Sequence, residues 1–136
     1  MLIYGFFGTG KTTFCKEYPE VTMDLDEQFY VSHNWFMTNI ELYKGCGGLC
    51  FTNSFDSLPY VDIIFIPEHI ELVKGRLKKR GNVKKTFLDK LNEDMLIQIK
   101  RQYTNKICVL GKREYILTYK DKLLEKVTYP YFPSFE

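Results

Sequence analysis

The chain has 136 residues, 19 Lys and Arg against 17 Asp and Glu, a formal charge of +2, and 45% hydrophobic and 16% aromatic residues. That length suits one compact domain, and the composition is that of a globular chain rather than a disordered one. The charge is too near balance to imply a nucleic-acid or membrane partner by itself, and no apolar run approaches the ~18 residues of a membrane span. Met1 to Phe7 is apolar but has neither a basic leader nor a small-residue cleavage site, so a cytoplasmic rather than a secreted protein is expected.

Short apolar runs alternate with helical patterns, which predicts an α/β domain over residues 1–128 and a tail over 129–136. About five mostly parallel strands with helices on both faces are expected. Leu2-Ile3-Tyr4 reads as a first strand, broken by Gly5. A helix is predicted from Lys11 to about Tyr18, stopped by Pro19. Val21 to Leu25 reads as a second strand ending in Asp24 and Asp26. Residues 27–44 are aromatic-rich, poorly periodic and helical in part.

Leu49 to Thr52 reads as a third strand. Val61 to Ile66 is a near-continuous apolar run of the kind buried on both faces of a sheet. Only about eight residues, Asn53 to Tyr60, separate the two, where a parallel crossover usually takes ~10–12. A single helical turn over Ser54 to Leu58, or an irregular sheet, is the expectation there. Pro67 is predicted to open a helix with Ile70, Val73 and Leu77 inward and Gly81 as its stop. A second helix is predicted from Thr86 to Tyr103, with Leu88, Leu91, Met95 and Ile99 on one face. Lys106 to Leu110 reads as a fifth strand, and Glu114 to Val127 as a terminal helix.

The four cysteines, Cys15, Cys46, Cys50 and Cys108, are irregularly spaced. Cys46 and Cys50 make an isolated C-x3-C with no second ligand pair, and His33 and His69 stand alone. Free thiols are expected, not zinc and not disulfides.

Gly5-Phe6-Phe7-Gly8-Thr9-Gly10-Lys11-Thr12 matches G-x-x-x-x-G-K-[ST], between a predicted strand and a predicted helix. Glycines let such a loop wrap so that its N–H groups converge on an anion, and the following helix start adds positive potential. Lys11 can reach the β- and γ-phosphates of a bound triphosphate, the Thr12 hydroxyl a Mg2+ ion, and Thr13 the α-phosphate. The expected binding set is Gly5, Gly8, Thr9, Gly10, Lys11, Thr12 and Thr13. The motif identifies no acceptor.

With this loop, the chain resembles the nucleotide-kinase-like branch of the P-loop NTPase fold, which includes adenylate, shikimate and gluconate kinases. The Gly8 spacing, Asp24-Leu25-Asp26 at the end of the second strand, and Arg76-Leu77-Lys78-Lys79-Arg80-Gly81 carry the resemblance, in the family's order along the chain. It is most similar to small bacteriophage kinase-like proteins, in which segments like Tyr18-Pro19-Glu20-Val21-Thr22-Met23-Asp24-Leu25-Asp26 and Arg76-Leu77-Lys78-Lys79-Arg80-Gly81-Asn82 recur. The resemblance implies a three-layer P-loop fold and phosphoryl transfer from ATP, with Mg2+, to a small acceptor. Lys11, Asp26, Arg76 and Arg80 would be catalytic, and Thr12 and Asp24 would serve the metal. The bland alternatives are a solvated strand end with Asp26 as a helix cap, and a solvated basic face shared with Lys74, Lys78, Lys79, Lys84 and Lys85.

The chain also departs from that pattern. Thr52-Asn53-Ser54 stands where a second metal carboxylate usually ends the third strand, and the lid after Arg80 is short. Phe29, Tyr30, Trp35 and Phe36, with His33 and Asn34 between them, read either as a base-stacking platform or as ordinary core. A nucleoside or nucleotide is therefore the first expectation for the acceptor. The alternatives are a kinase of polynucleotide ends or modified bases, and a nucleotide-binding regulatory protein with little turnover. No membrane partner is expected.

Overall fold

The computed structural model describes the backbone of residues 1–28, 33–81 and 83–132, and the side chains of these except at 27, 28 and 33–37. Five strands form one sheet: β1 (Leu2–Gly5), β2 (Thr22–Asp24), β3 (Leu49–Thr52), β4 (Ile63–Pro67) and β5 (Ile107–Leu110). Their order is β2-β3-β1-β4-β5, and every pairing is parallel. Ile3 of β1 stands opposite Phe51 on one side and Ile63 on the other. The α/β class and the five parallel strands agree with the sequence expectation.

Alternation along the strands sends side chains to opposite faces, and both faces are covered. Leu2, Tyr4, Ile64 and Ile66 join one apolar cluster with Ile40 and Tyr43 of α3 (His33–Gly45), Val73 of α4 (Ile70–Arg80) and Leu96 of α6 (Glu93–Gln102). Ile3, Phe51 and Phe65 join a second cluster with Phe14 of α1 (Lys11–Glu17) and Leu123 of α7 (Lys120–Leu124). Two-sided burial is why these strands read as apolar runs instead of alternating ones.

Several predicted boundaries are corrected. Pro67 opens no helix: it is the last residue of β4, opposite Leu110, and α4 begins at Ile70 after His69. The second strand is three residues long, because Leu25 already starts α2 (Leu25–Gln28). The helix predicted over 86–103 is two, α5 (Lys85–Lys90) and α6. Leu91 is extended between them, and the Asn92 side chain accepts from Met95 N–H as the N-cap of α6. The predicted terminal helix is a 3-10 turn, Ile116–Tyr119, running into the short α7.

The short link between β3 and β4 passes over the β1 position with one 3-10 turn, Phe55–Ser57. Its chain is held locally. Ser57 Oγ donates to Ser54 O at 2.6 Å, and Asp62 exchanges bonds with Leu2, accepting from its N–H at 2.8 Å and donating its own N–H to its carbonyl. The tail docks through Thr128 N–H on Gly47 O and Gly48 N–H on Tyr131 O; residues 133–136 lie outside the described residues.

Candidate functional site

In a parallel sheet all strand C-termini share one edge, and a crevice opens where successive connections leave in opposite directions. Here that point is β1, flanked by β3 and β4, and the Gly5–Thr12 segment leaves from its end. Gly8 and Gly10 both have left-handed backbones, with φ of 71° and 90°, so the loop needs glycine at both positions. Gly10 is the N-cap of α1 without a side-chain cap, and the helix's first backbone bond is Phe14 N–H to Gly10 O. The N–H groups of the first turn thus have no intrahelical acceptor. Thr12 is half-buried and Thr13 exposed at this helix start.

The back of the loop is tied to the core. Phe6 N–H donates to Phe65 O, Thr9 N–H and hydroxyl both donate to Phe6 O, and Ile116 N–H donates to Thr9 O. Thr9 is 1% exposed. Thr9 was expected in the ligand-binding set; with both donors turned to Phe6 and its carbonyl taken by Ile116, it is a brace for the loop. At Gly5 a Cβ would meet Ile116 Cδ1 at 3.0 Å and Thr9 Oγ1 at 3.2 Å, so a side chain there fits only if both give way.

Lys11 Nζ lies 3.1 Å from Asp24 Oδ1 and 2.9 Å from Asp26 Oδ2. Burial alone would lower the ammonium's pKa. The adjacent Asp26, then Asp24, outweigh it and hold the pKa above the ordinary lysine value. Asp24 is buried and accepts the backbone N–H of Asp26, capping α2; the cap thus falls to Asp24 and not to Asp26. Asp26 is held from β3: Thr52 Oγ1 donates to Oδ1 at 3.0 Å, and Asn53 N–H donates to Oδ2 at 2.8 Å. The end of β3 thus holds a carboxylate delivered from α2 and gripped by Thr52 and Asn53. The Lys11 ammonium is thus shared between two carboxylates.

Arg76 and Arg80, both expected to be catalytic, part company. Arg80 lines the small cavity of about 90 Å3 over the loop, with Gly8, Lys11, Thr12 and Asn53. Arg76 donates to the carbonyls of Gly8, Lys112 and Glu114, each at 3.0 Å, and its guanidinium lies 3.9 Å from the Tyr115 ring centroid. Arg76 is thus a strut joining the loop to the chain after β5. Lys78, Lys79, Lys84 and Lys85 are exposed around Arg80, and those in the last turn of α4 also complement its dipole.

Beside the loop lies a cavity of about 570 Å3 lined by Gly10, Thr13, Tyr115, Leu117, Thr118 and Lys120. No sequence motif marks this wall or the Thr52–Asn53 grip. Parallel topology held the signal: the segment after β5 has to emerge at the same edge as the segment after β1. The aromatic group Phe29, Tyr30, Trp35 and Phe36, with His33 and Asn34, lies outside the residues whose side chains are described, as does Asn82. Among the described residues no helix is long and apolar enough to cross a membrane, and no three His, Cys, Asp or Glu side chains cluster to hold a metal. No protein-family model matches the chain, and a search of the curated proteins finds no match.

Proposed function

We propose that the chain is a P-loop phosphotransferase of three-layer architecture, which binds ATP with Mg2+ at residues 5–13 and phosphorylates a small acceptor, a nucleoside or nucleotide first. The observation that carries this reading is a convergence at one sheet edge. The glycine loop with left-handed Gly8 and Gly10, the Lys11 ammonium and the carboxylates of Asp24 and Asp26 all meet there. The 570 Å3 cavity against Gly10 and Thr13, with Tyr115 and Leu117 on its wall, has the size and mixed lining suited to a nucleoside.

The residues fit the groups they would hold. A magnesium ion that takes most of its shell from phosphate and water needs only one or two protein oxygens, so the lack of a larger acidic cluster among the described residues is no obstacle. Thr12 and Asp24 would hold the ion, and when bound it supplies charge neutralisation across the phosphates. Lys11 and Arg80 are the cations that oppose charge on the transferring group. Asp26, with side-chain exposure of 25% against 5% for Asp24, is the carboxylate open to an acceptor, and Thr52 and Asn53 fix its orientation. It would accept the acceptor hydroxyl's proton. Positioning and charge dominate such a transfer, and a braced loop serves both.

A second reading, binding with little turnover, draws on Arg76: with that guanidinium committed to carbonyls, Arg80 is the arginine left over the loop. Incubation with Mg-ATP and a panel of nucleosides, nucleotides and short 5′-hydroxyl oligonucleotides separates the readings. The proposal expects ADP release that depends on one nucleoside or nucleotide class. Release confined to oligonucleotides would move the acceptor to a polynucleotide end, and ATP binding without acceptor-dependent release would leave a binding protein.

A further inference from the structure

Two sulfur atoms away from the glycine loop are in contact. Cys46 Sγ and Cys50 Sγ lie 3.4 Å apart, and both cysteines are free thiols. The chain builds this contact locally: α3 ends at Gly45, Gly47 and Gly48 follow the first cysteine, and β3 carries the second. Cys50 is 0% exposed. Cys46 is half-buried and lines a cavity of about 390 Å3 with Glu41, Gly47, Tyr129 and Phe132. Of the two, Cys46 is the residue beside the cavity, and Cys50 is the buried one.

We infer that Cys46 and Cys50 form a redox-active dithiol, in which Cys46 attacks a small-molecule disulfide and Cys50 resolves the product. In the first step Cys46 gives its proton to solvent and, as the thiolate, bonds to one sulfur of the disulfide, whose own S–S bond breaks; the departing thiolate takes a proton from solvent. In the second step Cys50 gives up its proton to solvent and bonds to Cys46 Sγ, expelling the second small thiol. The protein loses two electrons and two protons, and the small disulfide is reduced to two thiols. Closure shortens the sulfur separation from contact to a bond of ~2.05 Å.

The surroundings favour this division of labour. Cys46 is pulled down to about 6, chiefly by the S–H of Cys50, against the opposing effect of burial. Cys50 is pushed up by the same hydrogen bond and by burial. As a thiol, Cys46 donates to Tyr43 O at 3.1 Å, and the Met1 amino group donates to the carbonyls of Cys46 and Gly48, both at 2.9 Å. The Tyr43 phenol, pushed up to about 12 by burial, stays neutral beside the pair. Once Cys46 is bound in a mixed disulfide, its charge no longer holds the Cys50 proton, so the second step follows from the first. By contrast, burial pushes the Cys108 thiol up.

The test treats the full chain with oxidised glutathione at pH 7, quenches by alkylation at successive times and maps the cysteines by mass spectrometry. The expected product lacks two hydrogens, carries a Cys46–Cys50 link and reverts with dithiothreitol. A glutathione adduct at Cys46 precedes it. Cys50→Ala accumulates that adduct, and Cys46→Ala acquires glutathione on Cys50 about ten-fold more slowly. A stable adduct on Cys46 of the unaltered chain with no internal link would overturn the inference, as would equal reaction rates at Cys15, Cys46 and Cys108. If Cys50→Ala does not fold, the time course of the unaltered chain decides alone. None of these outcomes depends on nucleotide binding.

Discussion

Arg76→Met keeps the aliphatic stem of the side chain and removes the guanidinium that joins Gly8 to the segment after β5. Three bonds of 3.0 Å are lost, to Gly8, Lys112 and Glu114, together with the contact to the Tyr115 ring. The Lys112 bond is exposed and contributes little. The two part-buried, charge-assisted bonds contribute about 1–1.5 kcal/mol each, and the ring contact about 0.5–1 kcal/mol. The sum, about 3 kcal/mol, is a large share of a typical ~5–15 kcal/mol stability and corresponds to a Tm lower by about 10 °C for a chain of this length. Urea unfolding followed by circular dichroism measures it. Arg76→Lys is expected to restore less than half, since one ammonium cannot reach three divergent carbonyls and stack on a ring. A loss below about 1 kcal/mol, or full rescue by lysine, would refute the strut.

Four further outcomes follow from the same geometry. Gly10→Ala forces a Cβ into a backbone of φ 90° and 3.2 Å from Tyr115 Cδ1, and is expected to lower stability by about 1–2 kcal/mol. Gly75→Ala, inside α4 with nothing within 4 Å, is expected to raise it by about 0.5–1 kcal/mol; paired thermal melts check both signs. Glu114 accepts Gly111 N–H at 2.8 Å and the Tyr119 hydroxyl at 2.9 Å, and these bonds hold its carboxyl below the usual range, the Gly111 bond foremost. A carboxyl lowered in the folded state contributes stability above its unfolded pKa and loses it as pH falls through the folded one. The stability difference between the unaltered chain and Glu114→Gln is therefore expected to shrink as urea midpoints are taken from pH 7 into the acid range. Asp26→Asn removes one of two negative charges beside Lys11. It is expected to tighten metal-free ATP binding about ten-fold and to abolish acceptor-dependent turnover, as read by calorimetry and ADP release.

The strands were legible because burial on both faces writes them as apolar runs, and Val61 to Ile66 shows this most plainly. The missed boundaries have physical causes. The stripe Leu88, Leu91, Met95 and Ile99 keeps its spacing across the break at Leu91–Asn92, so periodicity cannot reveal a break that only the Asn92 cap marks. Pro67 suits a first helical turn, but lacking only its N–H it also fits the last position of a parallel strand. At the site, the glycine loop and both aspartates were readable as local patterns. The Thr52–Asn53 grip on Asp26 and the Arg76 strut span 26 to 38 residues for the most part, and 68 for the bond to Gly8. Such pairings are products of strand order, which the spacing of a motif does not encode.

Calorimetric titration of Mg-ATP into the full chain and into Lys11→Ala tests the central claim, that residues 5–13 are a triphosphate site. Saturable binding is expected for the unaltered chain, and an affinity at least about 100-fold weaker for the variant, which loses the Lys11 ammonium at the loop. Circular dichroism checks that the variant folds, since the change leaves Asp24 and Asp26 without the Lys11 ammonium. No binding to the unaltered chain, or equal binding by the folded variant, would contradict the account.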